Sequence, residues 1–163
     1  LDRGKLTNVL AVERSSTQGE RDYMYGNRNI VNPIVNFRNN GIVIWGQKTG
    51  QRRPTALDRV NVRRLMNAIK RVIVDATQYY VFEQNDSFTW SRWVDMVEPK
   101  LDVIKNNRGI YDYQVVMDET TVTEDDLVNY TMPGVVKIKP TRAAEFIPLT
   151  FSITANSVEF GDE

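Results

Sequence analysis

The sequence predicts an α/β (α+β) domain in which two long helices cover a small mixed β-sheet. Three observations carry that expectation. The run Gly41-Ile42-Val43-Ile44-Trp45-Gly46 is apolar, bracketed by glycines and short enough for a buried strand. From Asp58 to about Val81, apolar residues fall at Val62, Leu65, Met66, Ile69, Val72, Ile73 and Ala76, the i, i+3, i+4, i+7 stripe of an amphipathic helix. Residues 110–117, 135–139 and 145–154 alternate apolar and polar positions, the period of a half-buried strand. The order of the strands near 41, 110, 135 and 146 stays open.

Residues 1–12 have no clear period and are interrupted by Gly4, so they read as an extended edge segment or arm. Thr17 and Glu20 have the spacing of a capping box, predicting a short helix that stops at Gly26. Asn32-Pro33 then turns the chain. On the first long helix Arg59, Arg63, Lys70 and Arg71 lie mostly off the apolar stripe. Asp86 or Ser87 caps a second helix with Trp90, Trp93, Val94, Val97, Leu101 and Ile104 on one face. Pro99 lacks a backbone donor and is expected to kink or divide that helix, and Gly109 to stop it. In the strand that follows, Tyr111, Tyr113, Val115 and Met117 share one side. Thr123 to Asn129 reads as one or two helical turns, with acids in the first turn where the helix dipole favours them. The last strand points Ile147, Leu149, Phe151 and Ile153 one way and Pro148, Thr150, Ser152 and Thr154 the other. Pro148 cannot donate to a ladder, which favours an edge. An apolar-faced edge strand near the chain end can pair with another subunit or with its own chain.

With 163 residues the chain fits one domain able to bury a core of its own. Its 41% apolar and 26% charged residues are ordinary for a globular fold. No apolar run approaches the ~20 residues of a spanning helix, so no membrane insertion is expected. The opening on Leu1 rather than Met leads to the expectation of a piece of a longer protein. Cysteine and histidine are both absent, which removes disulfides, thiolate nucleophiles, imidazole bases and the usual zinc ligands. The net charge is zero but uneven: residues 1–80 carry 14 Lys+Arg against 6 Asp+Glu, and residues 81–163 carry 7 against 15. Such poles suit contacts between subunits, or neutralise each other within one fold.

Several motifs bear on chemistry. Gly41 and Gly46 followed by Lys48-Thr49 resemble a phosphate loop, but Gln47 displaces the lysine and strand formers fill the interval. Asp118, Glu119, Glu124, Asp125 and Asp126 lack the spacing and central glycine of a calcium loop and read as acids that help a helix start. Asn85-Asp86-Ser87 and Asn129-Tyr130-Thr131 are glycosylation sequons in form, which carry meaning only with a secretory route, and both are set aside. Arg52 and Arg53 precede an arginine-rich helix, yet no nucleic-acid-binding motif accompanies it, so no nucleic acid is expected. No catalytic, cofactor-binding or metal-binding residue is assigned. The competing reading from another class is a small carboxylate-dependent or nucleotide-using enzyme.

In order, Asn32-Pro33-Ile34, Gly41 to Thr49, Asp58-Arg59-Val60-Asn61-Val62-Arg63-Arg64, Phe82-Glu83 with Asn85-Asp86, Glu98-Pro99 and Arg108-Gly109-Ile110 closely resemble the C-terminal region of bacteriophage contractile tail sheath proteins. The resemblance runs from about Leu6 onward. It implies a structural, self-assembling part and not an enzyme: subunits in hexameric rings, stacked helically around a tail tube, that contract to drive the tube through a host envelope. It implies a division into an approach segment and short helix at 1–30, leading from a missing outer part, a sheath core at 31–145 and a C-terminal strand or arm at 146–163. The sheet would be completed by strands from neighbouring subunits, with Ile147, Leu149, Phe151 and Ile153 as the shared strand. The N-terminal arm of the family would lie outside this chain. Candidate tube- or neighbour-facing basic residues are Arg59, Arg63, Lys70, Lys100, Lys105 and Arg108. Implied partners are other copies, the tail tube protein, and baseplate and tail terminator proteins; the implied place is the virion tail, assembled in the host cytoplasm. The sheath of a related injection device or bacteriocin is the neighbouring alternative.

Overall fold

The computed structural model describes residues 2–26 and 29–149. The expected mixture of helices and strands is present, but the strands divide between two small antiparallel sheets instead of joining one mixed sheet. The expected strand beginning at Gly41 finds its partner close by. Strand β1, Ile34–Phe37, pairs with β2, Gly41–Ile44, in the register Val35↔Val43 and Phe37↔Gly41. Asn40 N–H donates to Phe37 O at 3.1 Å, and Gly41 follows at φ 74°, a tight turn whose last residue needs the left-handed region. Such a local turn closes with little loop entropy, so β2 is satisfied before the distant strands arrive. Sequence reading had placed only a turn at Asn32-Pro33 and missed β1. The arm-like reading of the N-terminus is refined: after a 3₁₀ turn at Asp2–Gly4, Lys5 bridges Val43 and Leu6 N–H donates to Ile42 O at 2.9 Å, lining the free edge of β2.

The short helix α1, Gln18–Met24, starts from the expected capping box of Thr17 and Glu20. Helix α2, Val60–Thr77, and helix α3, Ser87–Asn106, are the two long helices. On α2 the stripe buries Val62 and Ile69, with Leu65 and Ile73 half-buried, whereas Val72 stays exposed. Asp86 caps α3 through its side chain, which accepts from Thr89 N–H at 2.8 Å. The helix runs on through Pro99, so the expected division does not occur. One lost i→i−4 bond is offset by the apolar face that continues past it, since Trp93, Val97 and Leu101 are all buried.

Strand β3, Ile110–Val116, pairs antiparallel with β4, Val135–Pro140, and the five-residue helix α4, Glu124–Val128, lies between them with Thr123 as its cap. A register shift between Ile110 and Asp112 leaves Tyr111 as an extra residue. That bulge reverses the phase of the strand start. Ile110 is therefore buried, and Tyr111 is exposed instead of sharing a side with Tyr113, Val115 and Met117. The core joins Ile69, Trp90, Trp93, Val97, Leu101, Ile110, Met117 and Val122. Both buried indoles find acceptors: Trp93 Nε1 donates to Thr77 Oγ1 at 3.0 Å and Trp90 Nε1 to Asn85 Oδ1 at 2.8 Å. No helix among the described residues is long and apolar enough to cross a membrane.

The end of α3 differs from the expected glycine stop in one respect. Arg108 N–H donates to Lys105 O and Gly109 N–H to Ile104 O, both at 2.9 Å, which is a Schellman cap. The left-handed residue of that cap is Arg108, at φ 62°, and not Gly109. Since a side chain disfavours this conformation, Arg108→Gly is expected to stabilise the domain by about 1 kcal/mol. Urea unfolding of both proteins checks this, and a variant no more stable than the parent contradicts it.

Candidate assembly interface

The residues that carry the family resemblance early in the chain converge on one cluster. Residues 47–49 run antiparallel to 58–60: Val60 N–H donates to Gln47 O at 2.7 Å, Thr49 N–H to Asp58 O at 2.9 Å, and Lys48 bridges Arg59. Asn32 fits against the same stretch, accepting from Lys48 N–H and donating to Lys48 O, each at 2.9 Å. The Lys48 ammonium donates to Tyr25 O and, at 3.2 Å, to Gly26 O, and lies 4.3 Å from the Tyr25 ring centroid. The lysine of the apparent phosphate loop is thus engaged by backbone carbonyls, and its glycine-bracketed run is strand. Gly46 leaves room for this packing, because a Cβ there would stand 2.7 Å from Asn32 Oδ1 and 2.8 Å from the Tyr25 ring.

Into the cluster comes Glu145, from beyond β4. Arg59 Nε donates to Glu145 Oε1 at 2.6 Å and a terminal nitrogen of Arg59 to Oε2 at 3.1 Å, a two-pronged contact. Tyr25 OH donates to Oε1 at 3.0 Å, and Asp58 flanks Arg59 at 3.0 Å. Burial pushes the Glu145 carboxyl up, but hydrogen bonds from Arg59 and Tyr25 and the Arg59 charge outweigh it, leaving the carboxyl below its ordinary value of 4.5. The Glu145 hydrogen bond raises Arg59 in turn. Burial, followed by the Glu145 contact against a bond from Gln47, raises the Tyr25 phenol.

Beyond this anchor the chain changes character. Thr141 N–H still donates to Gly109 O at 3.2 Å, extending the β3–β4 pairing. Residues 141–149 form no strand, although alternation predicts one from Glu145, and Phe146, Ile147 and Leu149 are 81%, 75% and 73% exposed. This stretch has no strand partner among the described residues, and an unpaired strand has no reason to be straight. Phe151 and Ile153 lie outside the described residues.

The six basic candidates separate. Arg59 is turned onto Glu145 and Asp58, whereas Arg63 and Lys70 project from α2 into solvent. Lys100 is half-buried, Lys105 pairs with Asp112 at 2.9 Å, and Arg108 is exposed. Beside Lys105, the hydrogen bond to Asp102 raises the Tyr113 phenol to about 12. The acidic run serves local structure: Asp126 completes a capping box with Thr123 and accepts from Thr131 Oγ1 at 3.0 Å, while Asp118 accepts from Thr120 N–H at 2.8 Å. Sequence reasoning missed Tyr25, Asn32 and Glu145 as partners.

The family described as phage tail sheath C-terminal domain matches residues 53–154. The chain belongs to this family. Over 163 residues it is 34% identical to the tail sheath protein of Vibrio phage KVP40, and over 161 residues 36% identical to that of Salmonella phage ViI and 33% to that of Enterobacteria phage T4. These alignments cover 99% of the chain and 24%, 25% and 24% of the relatives, so this sheath domain spans about a quarter of their length. Among solved structures it is similar to a chain of the six-fold symmetrised anti-feeding prophage baseplate, with a TM-score of 0.84 and 28% identity over 93% of this chain and 44% of that one. It is also similar to a chain of the contracted PVC sheath complex of an extracellular contractile injection system, with a TM-score of 0.79 and 28% identity over 86% of this chain and 41% of that one.

The sign of the Glu145 shift fixes a pH dependence. A carboxyl depressed in the folded sheath domain contributes stability above its unfolded value, and that contribution disappears as pH falls from there through the folded value. Removing one partner of a half-buried charged contact costs about 2 kcal/mol. Glu145→Gln is therefore expected to be less stable than the parent by about that amount at pH 7, with the gap closing below pH 4. Thermal melts at both pH values check this; a gap that persists in acid would contradict it.

Proposed function

We propose that this sheath domain is the assembly core of a contractile phage tail sheath subunit, and that residues 146–163 are the strand shared with neighbouring copies. The observation that carries the reading is the abrupt change at Glu145. A charged anchor there is followed directly by exposed apolar side chains with strand alternation and no partner among the described residues. Exposed apolar segments with unpaired backbone are what strand addition uses, backbone bonds giving affinity and alternate side chains giving fit. Both outer edges of the β3–β4 sheet lack a further strand among the described residues.

In this reading other copies form hexameric rings stacked helically around a tail tube, with baseplate and terminator proteins at the ends. The setting is the virion tail, assembled in the host cytoplasm. The work of contraction comes from the difference between two subunit packings, so the domain acts as a structural part and not as an enzyme. Backbone-paired strands keep copies connected while charged faces part and re-form. Arg63 and Lys70 are the basic residues on α2 best suited to such a face, because Arg59 holds Glu145. The likeness to the injection-system chains favours a second reading, the same role in an injection-device sheath. Identities of 33–36% to phage sheath proteins, against 28% to those chains, favour the phage tail.

Electron microscopy tests the shared strand. Full-length protein is expected to form tubes, and the same protein with Ile147→Asp and Leu149→Asp is expected to form none while remaining folded. The 163-residue chain alone, which spans about a quarter of its relatives' length, is expected to form none either. Long tubes from the double variant, or from this chain by itself, would remove the basis of the proposal.

A further inference from the structure

At the C-terminal end of α2 lie aromatic rings left largely uncovered within the described chain. Tyr79 and Phe88 are exposed, and Phe82 is 100% exposed. The turn after α4 brings more apolar surface to the same place. Asn85 Nδ2 donates to Thr131 O at 2.8 Å, a bond that falls three residues after Phe82 and one after Tyr130. Tyr130 is 95% exposed and Val128 is exposed beside it in sequence.

Two of these rings sit on unfavourable backbone. Phe82 has φ 73° and Tyr130 φ 57°. At Tyr130 the cause is a helix cap: its N–H donates to Leu127 O at 3.3 Å and Thr131 N–H to Asp126 O at 2.8 Å. Glycine takes this position without strain. The cap accounts for the backbone conformation but not for a large ring held in water there. Strain and exposure both disfavour the isolated domain, so the rings have their use in contact with something outside it.

Charge identifies that partner. The exposed acids Glu83, Asp86, Glu124 and Asp125 lie within six residues of the rings in sequence, and Arg92 lies over Tyr80 and Phe88 at 6.0 and 5.7 Å. Toward the other end of α2, about 20 Å from Thr77 by the rise of a helix, stand the exposed Arg63 and Arg64, with the exposed Arg52 and Arg53 in the loop before the helix. Part of the basic charge of the first half of the chain and part of the acidic charge of the second thus stand near opposite ends of one helix. We propose that the aromatic, acidic end of one copy docks on the arginine end of a second copy. The two surfaces differ, so the contact is heterologous and can repeat around a ring or along a stack. The inference rests on the self-association proposed above but does not use the C-terminal segment.

Two half-defective variants of the full chain test it by sedimentation. Phe82→Gly/Tyr130→Gly removes the rings and relieves their backbone, so it is expected to melt at or above the parent's temperature. Arg63→Glu/Arg64→Glu removes the basic end and is expected to keep the parent's circular dichroism. If either glycine perturbs folding, Asn replaces it, since Asn tolerates the left-handed region. The parent is expected to associate with concentration, and each variant alone to lose the end-to-end contact and keep at most association through residues 146–163. Their equimolar mixture is expected to form dimers that grow no further, weakened on the order of ten-fold between low and high salt. A monomeric parent, a monomeric mixture, or variants that associate like the parent would overturn the proposal. Adding Ile147→Asp/Leu149→Asp to both variants separates the two readings. A dimer that survives supports the end-to-end contact whatever becomes of the shared strand, and a dimer that vanishes overturns it.

Discussion

A two-pronged contact between Arg59 and Glu145 determines where the C-terminal segment leaves the domain. Both carboxylate oxygens are engaged, one of them also by Tyr25, and the residue is only half-exposed. From Thr141, still bonded to Gly109, to Glu145 the chain has four steps and spans at most about 14 Å. Those two anchors tie the end of the β3–β4 sheet to the start of α2 and to the loop after β2. The following residues therefore depart from a defined point. The strand sharing proposed above gains from this, because ordering the root of a docking segment in advance lowers the entropy lost on docking.

The clamp and the core are separate structures. The core is built around α3, with its buried tryptophans facing Ile69 of α2, Ile110 of β3 and Val122 before α4. It contains none of Tyr25, Lys48, Arg59 or Glu145. Loosening the clamp therefore removes no side chain from the core, and its cost is the lost charged contact alone. Additivity between distant sites that share no partners makes this separation a physical property of the domain and not only a description of it.

Legibility from sequence followed the range of the interactions. The two long helices, the capping box at Thr17, the cap at Thr123 and the strand after Gly109 depend on neighbours a few residues away, and their signals lie in the local pattern. The β-bulge at Tyr111 was not legible, because an extra residue in a strand looks like any other until its partner is known. Pro99 misled for a similar reason: local chemistry argues for a break, while burial on both sides of it holds the helix together. The clamp was hidden most completely. Glu145 lies 86 residues from Arg59 and 120 from Tyr25, and no local period connects them. The family resemblance picked out Asn32, Gly46, Lys48 and Arg59 without explaining them. Their convergence on one cluster supplies the physical reason that those residue types occur together.

Three residues other than glycine adopt left-handed backbone among the described residues: Phe82, Arg108 and Tyr130. All three are exposed, and all lie in turns next to helix ends. Stability alone would place glycine or asparagine at each. A large side chain there weakens the isolated domain slightly and gains no packing within it. That pattern is expected of a part whose low-energy state is the assembly, because a contact with a neighbour offsets the strain that the free domain retains. The same reasoning explains why such residues cluster at helix ends instead of along helix faces. Ends are where the backbone can turn a side chain outward without disturbing the ladder of hydrogen bonds behind it, so interaction chemistry concentrates there while the helix interiors keep the fold.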